Sequence, residues 1–229
     1  MKFYIEYNKL GEEDYSWEPE TRSGTFSEAK EALDNTLLAI ADATRTEDFR
    51  IFIGGSNNFR DKVATLRPYK GRRDRSLKPT HFYALRDYLL NEWSAEVIDG
   101  MEADDALGIN HTTDTIVCTI DKDLQMIPGW NYNWVTGDMR LIGESEATRF
   151  FYMQLLTGDN TDNIQGVVGI GTKRATALLS ECETEKEMFD VCLKAYKNNY
   201  EELLENGTLL WIKRTELDDE FKHHIEDFL

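Results

Sequence analysis

Cysteine and proline are scarce in this 229-residue chain, with 3 and 4 copies. Cys118, Cys182 and Cys192 are odd in number, widely spaced and mostly flanked by apolar residues, which excludes a disulfide framework and a zinc cluster and leaves buried packing as their expected role. Long apolar runs are also missing. None approaches the roughly 20 residues needed to cross a bilayer, and the N-terminus has no signal-peptide core. Internal repeats and low-complexity linkers are absent too. The expectation is a soluble, cytoplasmic, monomeric protein without a membrane partner. With 41% hydrophobic and 11% aromatic residues the chain can build one sizeable core or two small ones.

Basic residues are in deficit, 26 against 43 acids for a net charge of −17. Such an excess repels polyanions unless the charge is unevenly placed. It is. Residues 60–78 carry eight Lys or Arg and only two acids, a local balance of +6 that leaves −23 for the rest. Phe59, Leu66 and Tyr69 interleave with these cations, which favours a partly packed segment over a solvated face.

Alternating apolar and polar residues over 1–8 predict an edge strand. Thr25 and Glu28 form a capping-box pattern ahead of a helix over about 27–43, with Leu33, Leu37, Leu38 and Ala41 as its apolar stripe. Residues 50–53 predict a short buried strand, and a helix carrying Phe82, Leu85, Leu89 and Trp93 follows Pro79. A short strand at Val97 and Ile98 comes next, then one or two helical turns over EADDAL, then a β-prone strand over 115–120. A hairpin over 130–142 turns at Thr136-Gly137-Asp138. Helices are expected over 146–157, 172–180 and from Glu185, capped by Thr184, whereas 200–229 is helix-prone and charged without a readable motif. Alternating strands and helices imply an α/β fold with a mainly parallel sheet flanked by helices. The expected division is an α/β core over 1–145, with the basic segment 58–79 inside it, and a helical region over 146–229.

Three acid clusters stand where elements begin or end. Asp121 and Asp123 leave the carboxyl end of an apolar strand, where open α/β sheets place ligands, and an i, i+2 spacing in extended chain points both side chains the same way. Glu102 and Asp105 are three apart on a helical turn with Asp104 beside them, and Asp159 and Asp162 repeat the spacing in a polar loop. Any one pair by itself reads better as solvated acids. Converging all three sets would be unfavourable without cations between them, and oxygen-preferring Mg²⁺ or Mn²⁺ suits such donors. The run 166–175, GVVGIGTKRA, places glycines in a tight turn and then opens a helix with free amides and two cations, which suits a phosphate. It has the spacing of neither a dinucleotide-binding fingerprint nor a P-loop, and a plain glycine-lined helix contact is an equal alternative.

Taken together, GMEADDAL, TIDKDL, TGDNTDNIQGVVGIGTKRA and the upstream Asn58-Phe59-Arg60 and Pro68-Tyr69-Lys70-Gly71 resemble the 5′ nuclease (flap endonuclease) family. That family includes the 5′-3′ exonuclease domain of bacterial DNA polymerase I and small bacteriophage exonucleases. The resemblance runs from about residue 49 to 179 and favours the phage branch. It implies Glu102 and Asp104 in a first metal site, Asp121, Asp123, Asp159 and Asp162 in a second, and Asp105 between them or outside. It further implies two Mg²⁺ or Mn²⁺ ions, Lys70 and Arg73 as catalytic cations on the scissile phosphate, and a basic arch with Arg60, Arg67 and Arg72 on DNA. Gly166, Gly169, Gly171, Lys173 and Arg174 would form a helix-hairpin-helix gripping the duplex, with a K⁺ ion. The implied partners are DNA with 5′ flaps, nicks or duplex ends, and RNA–DNA hybrids at primers.

Two acids of the family pattern are missing. Gly54-Gly55 stands where an Asp normally follows the second strand, and residues 1–8 do not read as a central strand ending in Asp, since such a strand should be nearly continuously apolar. The expectations are therefore a replication nuclease, with a chain that starts late and lacks its first strand, or a non-catalytic DNA-binding relative without the first metal site, as alternatives.

Overall fold

The computed structural model describes residues 24–46, 48–72 and 78–229. The edge strand expected over 1–8 and the catalytic cation expected at Arg73 lie outside them. The helices, in chain order, are α1 (Phe26–Thr44), α2 (Arg60–Val63), α3 (Phe82–Glu92), α4 (Ala103–Asn110), α5 (Glu144–Thr157), α6 (Thr172–Leu179), α7 (Glu185–Ala195), α8 (Tyr200–Leu210) and α9 (Glu220–His224). The strands are β1 (Phe52–Gly54), β2 (Glu96–Ile98), β3 (Ile116–Cys118), β4 (Gly129–Asn133), β5 (Asp138–Ile142), β6 (Gly158–Asp159) and β7 (Ile164–Gln165). The chain forms two compact units, Met1–Phe49 with Asp74–Ala95, and Arg50–Arg73 with Glu96–Leu229. The division expected at residue 145 falls inside the second.

In the first unit α1 starts where the capping box predicts. Thr25 Oγ1 accepts the Glu28 amide and the Glu28 carboxylate accepts the Thr25 amide. Asp34 ties α1 to α3, accepting hydrogen bonds from the Tyr88 hydroxyl and the Trp93 indole at 2.9 and 2.8 Å.

The second unit holds three small ladders among the described residues instead of one mainly parallel sheet. β1 pairs with β2 in parallel, β3 pairs with β4 in parallel and β4 with β5 antiparallel, and β6 pairs with β7 antiparallel. The departure has a local cause. Gly137, at φ 77°, lets the chain reverse between β4 and β5 in a tight turn, which only an antiparallel pair permits. Gly158, at φ 71°, starts the second hairpin, where an added Cβ would stand 2.2 Å from the Gly166 nitrogen.

α5 is the centre of the core. Its Phe151, Tyr152, Leu155 and Leu156 pack with Leu124, Met126, Met188, Phe189, Leu203, Phe221 and Ile225, all buried. Cys182 and Cys192 are buried and Cys118 is half-buried, all as free thiols, in keeping with packing roles. Among the described residues no helix is long and apolar enough to cross a membrane.

Candidate metal centre

β3 delivers its acids through a turn rather than an extended end. After Thr119, whose amide still bonds to the Tyr132 carbonyl, Asp121 becomes the N-cap of a 3₁₀ turn, Lys122–Met126, and its Oδ1 accepts the Asp123 amide at 2.9 Å. Leu124 and Met126 anchor this turn in the core. Asp123 then receives a hydrogen bond from Gln154 Nε2 of α5 at 2.6 Å.

Glu102 caps α4 and Asp104 and Asp105 form its first turn, where carboxylates favour the helix dipole. Asp105 points inward. Fully buried, it accepts two hydrogen bonds from Arg60, at 2.5 and 2.8 Å, and further ones from the Glu102 and Lys213 amides, both at 3.0 Å. Arg60 is 2% exposed and donates two further hydrogen bonds to the carbonyls of Leu209 and Trp211. One expectation changes here, and of the two places implied for Asp105 the outer one fits. Arg60 is not a surface cation available to DNA, and Asp105 is a buttress with both oxygens engaged by the protein, because a guanidinium and a carboxylate can be buried together only when each satisfies the other. Burial raises the Asp105 carboxyl, but the Arg60 guanidinium outweighs it and holds the group below the usual carboxylate range.

In the third cluster Asp159 Oδ1 accepts the amides of Thr161 and Asp162, at 2.6 and 3.2 Å. Two ammonium groups stand among the acids. Lys122 Nζ lies 3.4 Å from Asp123 and 3.3 Å from Asp159. Lys70 Nζ pairs with Glu102 and lies 3.6 Å from Asp162. Lys70 adopts φ 52°, and its own amide donates to the Asp162 carbonyl, which fixes the basic segment to the acid loop. Beside it the Tyr69 hydroxyl lies 2.9 Å from Glu102 and 2.8 Å from Asp162, so the nearly buried ring is a polar contact of two clusters as well as packing. Its place next to Lys70 in the motif was the available signal.

The charges feel one another. Burial, then the charges of Asp121 and Glu102, push the Asp104 carboxyl up to about 7. Burial, with Asp121 and Asp159, also raises Asp123, against the pull of Lys122 and Gln154. Burial raises Asp159 too, but its amide partners and Lys122 bring it below the usual range. Among the described residues no three such groups stand close enough to hold an ion as they are. The donor set nevertheless fits a hard divalent cation in kind. It consists of carboxylate oxygens only, and the upward shift of Asp104 and Asp123 marks a place where added positive charge would be favourable.

Where the family pattern has a second Asp, Gly55 is required by packing, since a Cβ there would stand 2.3 Å from Asp99 Oδ1. Asp99 instead accepts the Ser56 amide and hydroxyl. In the glycine-rich run the residues divide. Gly166 faces the backbone of Thr157, where an added Cβ would be at 2.2 Å, so it serves the close approach of two chain segments. Gly169, at φ 82°, and Gly171, the N-cap of α6, border open space. The limb before this turn is β7 rather than a helix, and the limb after it is α6. Lys173 and Arg174 are exposed on α6, and Arg67 and Arg72 are exposed in the basic segment. A cavity of about 370 Å³ is lined by Arg67, Arg72, Asn160, Asn163, Gly166 and Gly169 among others.

No family profile and no curated protein matches the sequence. Solved structures do. A complex of bacteriophage T5 flap endonuclease with DNA and metal ions superposes with a TM-score of 0.62 at 19% identity, over 87% of this chain and 90% of that one. The chain has the fold of that nuclease. The T5 5′-exonuclease with bound divalent zinc gives a TM-score of 0.59 at 18% identity, over 87% and 89% of the two chains. Against this T5 nuclease fold, three acid clusters and Lys70 occupy one neighbourhood of the second unit, bound to one another by the contacts above.

Proposed function

We propose that the chain is a member of the 5′ nuclease family, a metal-dependent 5′-3′ exonuclease or flap endonuclease acting on DNA. The observation that carries this reading is the meeting of Glu102, Asp162 and Lys70, with Asp104, Asp121, Asp123 and Asp159 around them, on a fold shared with a T5 nuclease. Glu102 and Asp104 would hold one ion, and Asp121, Asp123, Asp159 and Asp162 a second, Mg²⁺ or Mn²⁺ in each case. Bound ions of this kind acidify water and stabilise charge on attacking and leaving oxygens. The chain's own part is to orient. Lys70 directs its ammonium at the scissile phosphate and offsets the charge that develops there, while Tyr69 holds Glu102 and Asp162 in register. Arg67, Arg72, Lys173 and Arg174 are the exposed cations that fit a DNA backbone, and the open turn at Gly169 and Gly171 offers amides to a phosphate, with room for a monovalent ion such as K⁺. Flaps, nicks and duplex ends of DNA, and RNA–DNA hybrids at primers, are the substrates this reading implies, for a monomer working in replication.

The test is a labelled 5′-flap duplex with Mg²⁺, with EDTA and Asp121→Ala as controls. Cleavage abolished by both supports the enzyme, and undiminished cleavage by Asp121→Ala would sink the metal site. A second reading, a DNA-binding relative that does not cut, is favoured by the two lysines that already pair with acids of the clusters. It predicts a salt-sensitive gel shift without cleavage.

A further inference from the structure

Gln154 is an anomaly of the core. It lies on α5 among Phe151, Tyr152, Leu155 and Leu156, is 3% exposed, and among the described residues its Oε1 is buried without a hydrogen-bond partner. An orphaned buried acceptor is destabilising, and an apolar side chain of similar volume would fill the same space without that cost. The other end of the amide has a definite partner. Nε2 donates to Asp123 Oδ1 at 2.6 Å, the one contact from the central helix to the acid clusters through a side-chain hydrogen bond among the described residues.

From this we infer that Gln154 is a positioning residue for metal binding, fixing Asp123 through Oδ1 so that Oδ2 is held toward the cation. The inference rests on the nuclease reading and deepens it. The 3₁₀ turn carrying Asp123 packs on α5, so the buried amide transmits the rigidity of the core to a carboxylate that is 24% exposed and otherwise paired with the exposed Lys122 ammonium at 3.4 Å. Among the described residues Asp123 Oδ2 makes no hydrogen bond, which leaves it available as a ligand. A carboxylate with one oxygen tethered and the other open is the usual state of a ligand aligned by an outer hydrogen bond. Neither of the closest replacements serves here. Asparagine at this position would be one methylene short, and a glutamate would set a second negative charge against Asp123.

The test is Mn²⁺ binding, followed by electron paramagnetic resonance on wild type, Gln154→Met, Asp123→Asn, the double variant and Asp121→Ala, together with thermal melting in EDTA. Gln154→Met is expected to weaken Mn²⁺ binding about 10- to 100-fold while the metal-free melting temperature stays level or rises, because the orphaned acceptor is gone. The double variant should bind no more weakly than Asp123→Asn. If Gln154→Met fails to fold, Gln154→Asn, which keeps the polarity but not the reach, should show the same loss of affinity. Unchanged affinity beside a clear loss in Asp121→Ala overturns the role of Gln154 and leaves the nuclease reading standing. A loss of affinity matched by a fall in metal-free stability overturns it as well, since plain packing would do the same. Absence of Mn²⁺ binding by the wild type overturns both.

Discussion

Removing Arg60 should be among the most damaging single changes to the second unit. Arg60→Met keeps much of the apolar stem but leaves the Asp105 carboxylate buried without its cation, and leaves the carbonyls of Leu209 and Trp211 without a donor. Breaking a buried pair by deleting one partner costs about 3–5 kcal/mol. For a chain of this size each kcal/mol lowers the melting temperature by roughly 2–4 °C, so a fall of about 6–20 °C is expected. Against a typical total stability of about 5–15 kcal/mol this is a large share. Asp105→Leu should cost a similar amount, stranding Arg60 and the amides of Glu102 and Lys213. The double variant Arg60→Met/Asp105→Leu removes both charges, so it should be less destabilised than the sum of the singles, although the four backbone groups keep it below wild type. Urea unfolding followed by tryptophan fluorescence measures all three. Strict additivity, or a change below about 0.5 kcal/mol in Arg60→Met, would refute the reasoning.

Glu205 accepts the amides of Thr65 and Leu66 and the Thr65 hydroxyl. Glu205→Ala should therefore loosen the start of the basic segment, read as faster proteolytic cutting near residue 65 with little change in overall melting. Arg67→Ala and Arg72→Ala should each weaken DNA binding evenly across sequences and reduce the salt slope of the binding constant by about 1, whereas Arg60→Met should leave that slope unchanged. Glu185 accepts from His224 at 2.7 Å and Tyr152 at 3.1 Å. Burial raises its carboxyl but these partners hold it below its ordinary 4.5, so its contribution to stability is complete above that value and is lost as pH falls through the lowered one. Below about pH 4.5 the urea midpoint of Glu185→Gln should fall less steeply than that of wild type; parallel curves would sink this.

What was legible in the sequence is what is local. The capping boxes at Thr25 and Thr184, the turn at Gly137 and the helices of the second half depend on residues within a few positions of one another, and they stand where the pattern puts them. The acid clusters were legible for the same reason, each being a short-range grouping at an element end. Arg60 was misread because seven neighbouring cations make it look like one more surface charge, when its partners lie 45 to 151 positions away. The separate ladders were illegible because strands of three residues carry too little pattern to declare their neighbours. Gln154 left one trace, a polar residue in the apolar run FFYMQLL, which shows that the position is odd without showing what it holds.

The segment that carried no motif turns out to be tied to the site at four points. From α8 and the residues after it, Glu205 fixes 65 and 66, Asn206 donates to the Gln165 carbonyl at 2.9 Å, the carbonyls of Leu209 and Trp211 hold Arg60, and the Lys213 amide holds Asp105. These anchors reach the basic segment, the hairpin before the glycine-rich turn, and the helix bearing Glu102 and Asp104. Acids that repel one another cannot assemble by mutual attraction, and Lys70 and Lys122 offset only part of their charge, so the rest of the free energy that keeps their elements near each other comes from outside the cluster. The apolar side of α8, with Leu203, Leu209 and Leu210 in the core, supplies it, and its polar contacts convert that burial into position. A scaffold of this kind needs no signature of its own, because any amphipathic helix with the right few polar side chains can provide it.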